Sequence, residues 1–175
     1  MKVLAFAASN SEKSINKQLA TYAANLIEGA DVEVLDINDY EMPIFSDKRE
    51  AQLGQPQQAK DFFSKIGEAD AIIISFAEHN GSYTAAFKNL FDWTSRIDMK
   101  VYQNKPVLML ATSPGPGGAS SVLAAASGSA PYFAADVKST LSIPSFFDNF
   151  DVEAGKLTNS ELNDQLQKAV AKLSL

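Results

Sequence analysis

The chain has 175 residues, 46% hydrophobic and 21% charged, with a net charge of −6, no cysteine and a single histidine, His79. That is enough for one ordinary domain with a filled core and too little for two comfortable ones. The composition excludes a collagen-like or low-complexity chain, a disulfide framework, thiol catalysis and a histidine-cluster metal site.

An isoelectric point near 4.7, with arginine only at Arg49 and Arg96, argues against general nucleic-acid binding. The longest early apolar run, Val3 to Ala8, is too short for a signal-peptide core or a bilayer span. The expectation is a cytoplasmic protein with neither a nucleic-acid nor a membrane partner.

That same run reads as a first buried strand, ending at the polar cluster Ser9 to Ser14. Ile15, Leu19, Tyr22, Ala23, Leu26 and Ile27 then recur at helical spacing, with Gly29 as a stop. Val32 to Ile37 alternates, as a strand with one less buried face does. Asp39 to Gln55 is the least regular stretch, a loop too long for a mere connector, so functional or at a subunit contact. Phe62, Phe63 and Ile66 mark a second helix from about Pro56, ended by Gly67.

Ala71 to Phe76 is a second fully apolar strand, running into Glu78-His79-Asn80-Gly81-Ser82. Ala86, Phe87, Leu90, Phe91 and Ile97 mark a third helix, in which Trp93 falls at core or interface spacing. Pro106 to Ala111 is the third apolar strand, followed by Thr112 to Gly118 and a small-residue helix from Ala119 to Ala126. Val137 to Ile143 is a last strand. Thr158-Asn159-Ser160-Glu161 has the capping-box form and opens a terminal helix through Leu162, Leu166, Val170 and Leu173.

Buried apolar strands alternating with helices indicate an α/β fold whose parallel sheet is covered on both faces. For five strands the expected order is 2-1-3-4-5, which puts the reversal of winding between strands 1 and 3. Ligands bind there, beyond the carboxyl ends of the strands. Three loops of unusual composition meet at that point.

The first loop offers the hydroxyls of Ser9, Ser11 and Ser14 and the amide of Asn16 at a helix start. Those groups suit a terminal phosphate, and equally Ser14 alone could be capping the helix. There is no G-x-G-x-x-G and no P-loop, which argues against an NAD-type dinucleotide fold and a P-loop hydrolase. In the second loop, Gly81 permits a positive φ or close approach of a ligand plane; a tight turn with a helix cap is the other reading. His79 is a ring over a ligand, an acid/base, or a solvated residue, and no nucleophile elbow accompanies it. The third loop, Ser113 to Gly118, presents backbone N–H groups without side-chain bulk, suited to a heterocycle edge or merely to a sharp turn.

These residues resemble the NADPH-dependent FMN reductase family over nearly the whole chain. The likeness rests on Ser9-x-Ser11-x-x-Ser14-x-Asn16, Glu78-His79-Asn80-Gly81-Ser82, Lys88-Asn89-x-x-Asp92-Trp93, and Ser113-Pro114-Gly115 with Gly117-Gly118. Met42-Pro43-Ile44-Phe45 and the stretch from Phe150 to Thr158 add to it.

The resemblance implies one flavodoxin-like FMN-binding domain over residues 1–175, a three-layer sandwich. The implied activity passes hydride from NADPH or NADH through bound FMN to a small acceptor: a quinone, an azo compound, a metal oxyanion or free flavin. A flavodoxin-like electron carrier with a protein redox partner is the alternative. A homodimer or homotetramer is implied, with the third helix and the loop after strand 2 near the contact.

Carried over by position, Ser9, Ser11, Ser14, Ile15 and Asn16 hold the phosphate. Ala77, Glu78, His79, Asn80 and Gly81 line the isoalloxazine, and Ser113, Pro114, Gly115, Gly117 and Gly118 flank its other edge. No catalytic side chain and no metal ligand is implied, because the cofactor carries the chemistry. The chain departs from the family pattern with Ala77 for Pro, His79 for Tyr, Ser11 for Arg, and Ser120-Ser121 where an Arg usually follows the glycine pair. Losing a guanidinium removes a bidentate phosphate clamp. Lys13 or Lys17 is left to supply the charge, as a less directional point.

Overall fold

The three continuous apolar runs become the inner strands of one parallel sheet. In the computed structural model, which describes residues 1–174, the elements follow in chain order. They are β1 (Lys2–Ala8), α1 (Ile15–Asn25), β2 (Asp31–Leu35), α2 (Asp47–Leu53), α3 (Gln57–Glu68), β3 (Ala71–Phe76), α4 (Ala85–Thr94) and β4 (Pro106–Thr112). Then come α5 (Ser120–Ser129), β5 (Asp136–Ile143), the one-turn α6 (Phe146–Asn149), β6 (Phe150–Asp151), β7 (Lys156–Leu157) and α7 (Ser160–Ala171).

The sheet order is β2-β1-β3-β4-β5, as the alternation of elements predicts. Phe6 lies opposite Leu35 on one side and Ile74 on the other, and Ile74 opposite Met109. With side chains alternating between faces, Phe6, Ile74 and Met109 join the core under α3, α4 and α5. Val3, Ala5, Ile73 and Leu108 join a second core under α1 and α7. Each large side chain taken fully from water contributes ~1.5–3 kcal/mol, so strands apolar on both faces belong in the middle of the sheet. The mixed β2 and β5 take the edges.

Local expectations fail where tertiary contacts outweigh local signals. The second strand stops at Leu35, because the Asp36 carboxylate accepts from the Asn38 N–H (3.0 Å) and starts a 3-10 turn, Ile37–Tyr40. Residues 39–55 are not a plain loop; Ser46 caps α2 inside them by accepting from the Arg49 N–H. Helix α3 runs through Gly67, since Gln103 and Lys105 donate to the carbonyls of Phe63 and Gly67, both at 2.8 Å, and close its end from outside. The third helix ends at Thr94, before Ile97. Ala119 precedes the small-residue helix in a left-handed conformation. Asn159, not Thr158, caps α7 by accepting from the Leu162 N–H. The β6–β7 hairpin and α6 have no counterpart in the sequence reading.

Helix α4 anchors the stretch after β2. Asn89 donates to the carbonyls of Met42 (3.0 Å) and Pro43 (3.2 Å) and accepts from the Phe45 N–H (2.8 Å). One turn on, the buried Trp93 donates to the same Pro43 carbonyl at 2.7 Å, and the Phe45 ring meets its indole edge-on. Asn89 and Trp93 therefore clamp Met42–Phe45, and Trp93 is core. The variant Asn89→Ala strips the Phe45 N–H and two carbonyls of a partner. It is expected to cost ~2–3 kcal/mol in chemical denaturation and to speed proteolysis within residues 39–55. An unchanged denaturation midpoint would remove the clamp.

Candidate active site

The carboxyl ends of β1, β3 and β4 open into a cavity of ≈ 260 Å³. Of the candidates, Ser9, Ser11, Ser14, Ile15 and Asn16 line it from the first loop, Ala77, Glu78 and His79 from the second, and Ser113 and Pro114 from the third. Lys13 and Thr112 line it as well. Thr112 was not among the candidates; the one signal it gave was a hydroxyl at the end of an otherwise apolar strand. Asn80, Gly81, Gly115, Gly117 and Gly118 stand outside the lining.

The first loop is organised by its own hydroxyls. Ser9 accepts from the Ser11 N–H (3.2 Å), and Ser14 accepts from the Lys17 N–H (3.1 Å), capping α1. Capping uses an oxygen lone pair and leaves each hydroxyl hydrogen to donate elsewhere. Ile15 and Asn16 are the first helical residues, whose N–H groups have no acceptor within the helix. The loop's far side rests on Asn38, whose amide donates to the Asn10 carbonyl at 3.2 Å.

Of the two lysines available for charge, Lys17 is taken by Asp36 at 2.6 Å. That ion pair, helped by the Asn38 N–H, holds the Asp36 carboxyl below its ordinary value. Lys13 makes no ion pair among the described residues and lines the cavity.

Asn16 is 2% exposed and ties three elements together. Its Oδ1 accepts from the Ser75 hydroxyl (2.7 Å) and the Thr112 N–H (3.1 Å), while its Nδ2 donates to the Thr112 carbonyl (3.2 Å). Its side chain thereby fixes the start of α1 against the ends of β3 and β4.

In the second loop, His79 and Ser82 exchange backbone hydrogen bonds at 3.0 and 3.1 Å. Asn80 (φ 52°) and Gly81 (φ 76°) between them adopt the left-handed pair of a two-residue hairpin turn. The turn tip is exposed. Behind it, buried Thr84 donates to the Ala8 carbonyl (3.0 Å) and caps α4. The Glu78 carboxylate accepts from the Val122 N–H at 2.8 Å, in the first turn of α5. Helix α5 has no side-chain cap from its own N-cap residue, and Glu78 provides one from the loop after β3.

The third loop is held by its carbonyls. Ser113 accepts from the Phe146 N–H and Gly115 from the Ser145 N–H, at 3.0 and 2.9 Å. Pro114 and Pro116 have no N–H, and that of Gly118 goes to the Gly115 carbonyl (3.3 Å), so the expected row of free donors is broken. Gly118 (φ 58°) is needed for packing: a Cβ there would collide with the Ser142 hydroxyl and come within 3.2 Å of the Pro144 backbone.

The cleft can thus gather hydroxyls, helix N–H groups and one ammonium at its α1 end, with Ala77, Glu78, His79, Ser113 and Pro114 lining it from the other two loops. Among the described residues no helix is long and apolar enough to cross a membrane.

Residues 1–148 match the family model described as NADPH-dependent FMN reductase. The NADH-dependent flavin reductase subunit 2 of Lactobacillus johnsonii is 34% identical over 124 residues, 69% of this chain and 64% of its own length. An NADPH:quinone oxidoreductase of Arabidopsis thaliana is 31% identical over 67% of this chain and 61% of its own. This chain therefore spans less than two thirds of these relatives. Among solved structures, the flavoenzyme NAD(P)H:(acceptor) oxidoreductase FerB of Paracoccus denitrificans superposes with a TM-score of 0.77 at 24% identity, over 99% of this chain and 95% of that one. That likeness shows a shared flavodoxin-like fold. With most of its length matched by the family model and a third of its aligned residues shared with a flavin reductase, the chain belongs to the NADPH-dependent FMN reductase family.

Proposed function

We propose that residues 1–175 are a single FMN-binding domain and an NAD(P)H-dependent oxidoreductase of small acceptors. The observation that carries the reading is the donor set at the α1 end of the cleft. The hydroxyls of Ser9, Ser11 and Ser14, the N–H groups of Ile15 and Asn16, and the Lys13 ammonium all offer hydrogens, as a phosphate dianion requires. Glu78, the one carboxylate lining the cavity among the described residues, is engaged with α5. The residues present fit FMN.

In this reading the first loop holds the phosphate. Lys13 stands in for the family's usual arginine at Ser11, as a point charge without a bidentate fork. Ala77, Glu78 and His79, with the Asn80-Gly81 turn, border the ring. Ser113 and Pro114 flank its other edge, and Gly115, Gly117 and Gly118 carry the loop on beyond the cavity lining. Glu78 acts through α5, tying the second loop to the third.

FMN, when bound, supplies hydride acceptance from NADPH or NADH and electron delivery to a quinone, azo compound, metal oxyanion or free flavin. The protein's task is to hold and orient, so no side chain is assigned an acid, base or nucleophile role. The relatives' names as flavin and quinone reductases support this over a carrier with a protein partner.

A homodimer or homotetramer belongs to the same proposal. Ile44 (64% exposed), on the stretch clamped to α4, and Leu53 (56%), at the end of α2, support a subunit contact there. A cytoplasmic location, where nicotinamide pools are available to the reaction, is part of the proposal as well.

FMN addition followed by desalting is expected to leave a yellow protein that NADPH or NADH bleaches and a quinone recolours; a protein that stays colourless overturns the reading. A sharper test is Ser14→Asp. Aspartate caps a helix as well as serine does, so the melting temperature should hold. The added charge should weaken FMN about tenfold or more in a fluorescence titration. Unchanged affinity would take Ser14 out of the phosphate site.

A further inference from the structure

A second cavity, of ≈ 370 Å³, lies between α4 and α5 and shares no lining residue with the cleft. That volume is within the range of about 300–1,000 Å³ usual for small-molecule sites. One wall is aromatic. Tyr83, Phe87, Phe91 and Tyr102 follow one another with ring centroids 5.8 Å apart, and Phe133 meets Phe91 edge-on at 4.8 Å. Helix α5 contributes Ala125, Ala126 and Ser129, whose small side chains leave the space open.

Tyr102, 5% exposed, is the observation that points to a ligand. Its backbone N–H bonds the Phe133 carbonyl at 3.0 Å, but its hydroxyl finds no partner among the described residues. No unpartnered side-chain oxygen there is sealed from solvent, so this one opens into the cavity that the ring lines. Burial holds the Tyr102 pKa above the ordinary phenol value, so the hydroxyl keeps its hydrogen and can donate.

The Tyr83 hydroxyl lies 3.5 Å from Ser129 Oγ, whose own hydrogen goes to carbonyls of α5. Both oxygens keep lone pairs for a donor. Lys88 and Asp92, the charged residues of the lining, pair with each other at 2.8 Å. The cavity therefore carries no net charge.

A row of rings longer than one benzene ring, a buried donor, two acceptor oxygens and neutrality match a flat aromatic alcohol. We propose that the α4–α5 groove binds a neutral, two-ring aromatic alcohol, its hydroxyl accepting from Tyr102 and donating to the Tyr83 or Ser129 oxygen. The inference does not rest on the flavin reading of the cleft. Nor does the proposed subunit contact cover the groove. Asn89 and Trp93 face Met42–Phe45, whereas Phe91 and Ser95, each two residues further on, are turned about 200° from them around α4.

The probe is 2-naphthol, measured by equilibrium dialysis against the full chain with and without FMN. Equal binding in both conditions is expected, about five- to tenfold weaker in Tyr102→Phe, which keeps the ring and removes the donor. That hydroxyl has no protein partner to lose, so the melting temperature of the variant should hold. Naphthalene, which has no oxygen, should bind wild type and Tyr102→Phe alike. Ala125→Trp fills the groove from an exposed helix position and should abolish binding of both.

No 2-naphthol binding, binding untouched by both variants, or displacement by FMN overturns the proposal. So does a chain that ignores 2-naphthol and self-associates until Ala125→Trp breaks the association, which gives the groove to a second copy. A chain that binds 2-naphthol as described but never retains FMN keeps the groove and brings down the reading of the cleft instead.

Discussion

The carboxamide of Asn16 is the constraint on which the cleft depends. Buried between the start of α1 and the ends of β3 and β4, it joins Ser75 and Thr112 across three consecutive crossovers of the chain. An unpartnered polar group at that depth costs ~1–3 kcal/mol, so the three bonds form together or not at all. Their consequence is positional. The N–H groups that open α1 are held where β1 ends, at a fixed distance from the other two strand ends. A free helix N-terminus attracts anions anywhere, but here it is locked to a cavity floor.

Around that lock, the walls are joined to one another rather than standing separately. Glu78 reaches from the loop after β3 to the first turn of α5, and Thr84 reaches from the same loop to the end of β1. Ser113 and Gly115 are fixed to the start of α6 through their carbonyls. Polar side chains that look like ligand contacts in a linear sequence are thus partly consumed in building the site. Ser14 shows that the two uses need not compete: its oxygen caps α1 and its hydrogen remains available.

Charge in the cleft follows the same economy. Of the two lysines near the first loop, Asp36 takes Lys17, and in doing so also organises the 3-10 turn that supports Asn10 through Asn38. Lys13 is left for the cavity. In a protein with a net charge of −6, one uncompensated ammonium at a helix N-terminus is enough to make that end of the cleft the attractive one for an anion.

How much was legible beforehand follows from the range of each interaction. Val3–Ala8, Ala71–Phe76 and Pro106–Ala111 are apolar on both faces, which only the interior of a parallel sheet accommodates, so strand order and the meeting of three loops were readable from the chain. Motif residues carried the family and its candidate site. The sequence could not say that Glu78 caps a distant helix, that Gly118 serves packing, or that α3 continues through Gly67. It also could not say which lysine is free. Each of these depends on a partner between about 20 and 44 residues away in the chain. Periodicity and composition determined the layers; only the folded chain, by bringing remote donors and acceptors within 3 Å or so of each other, decided which polar groups are spent on structure and which are left to face a ligand.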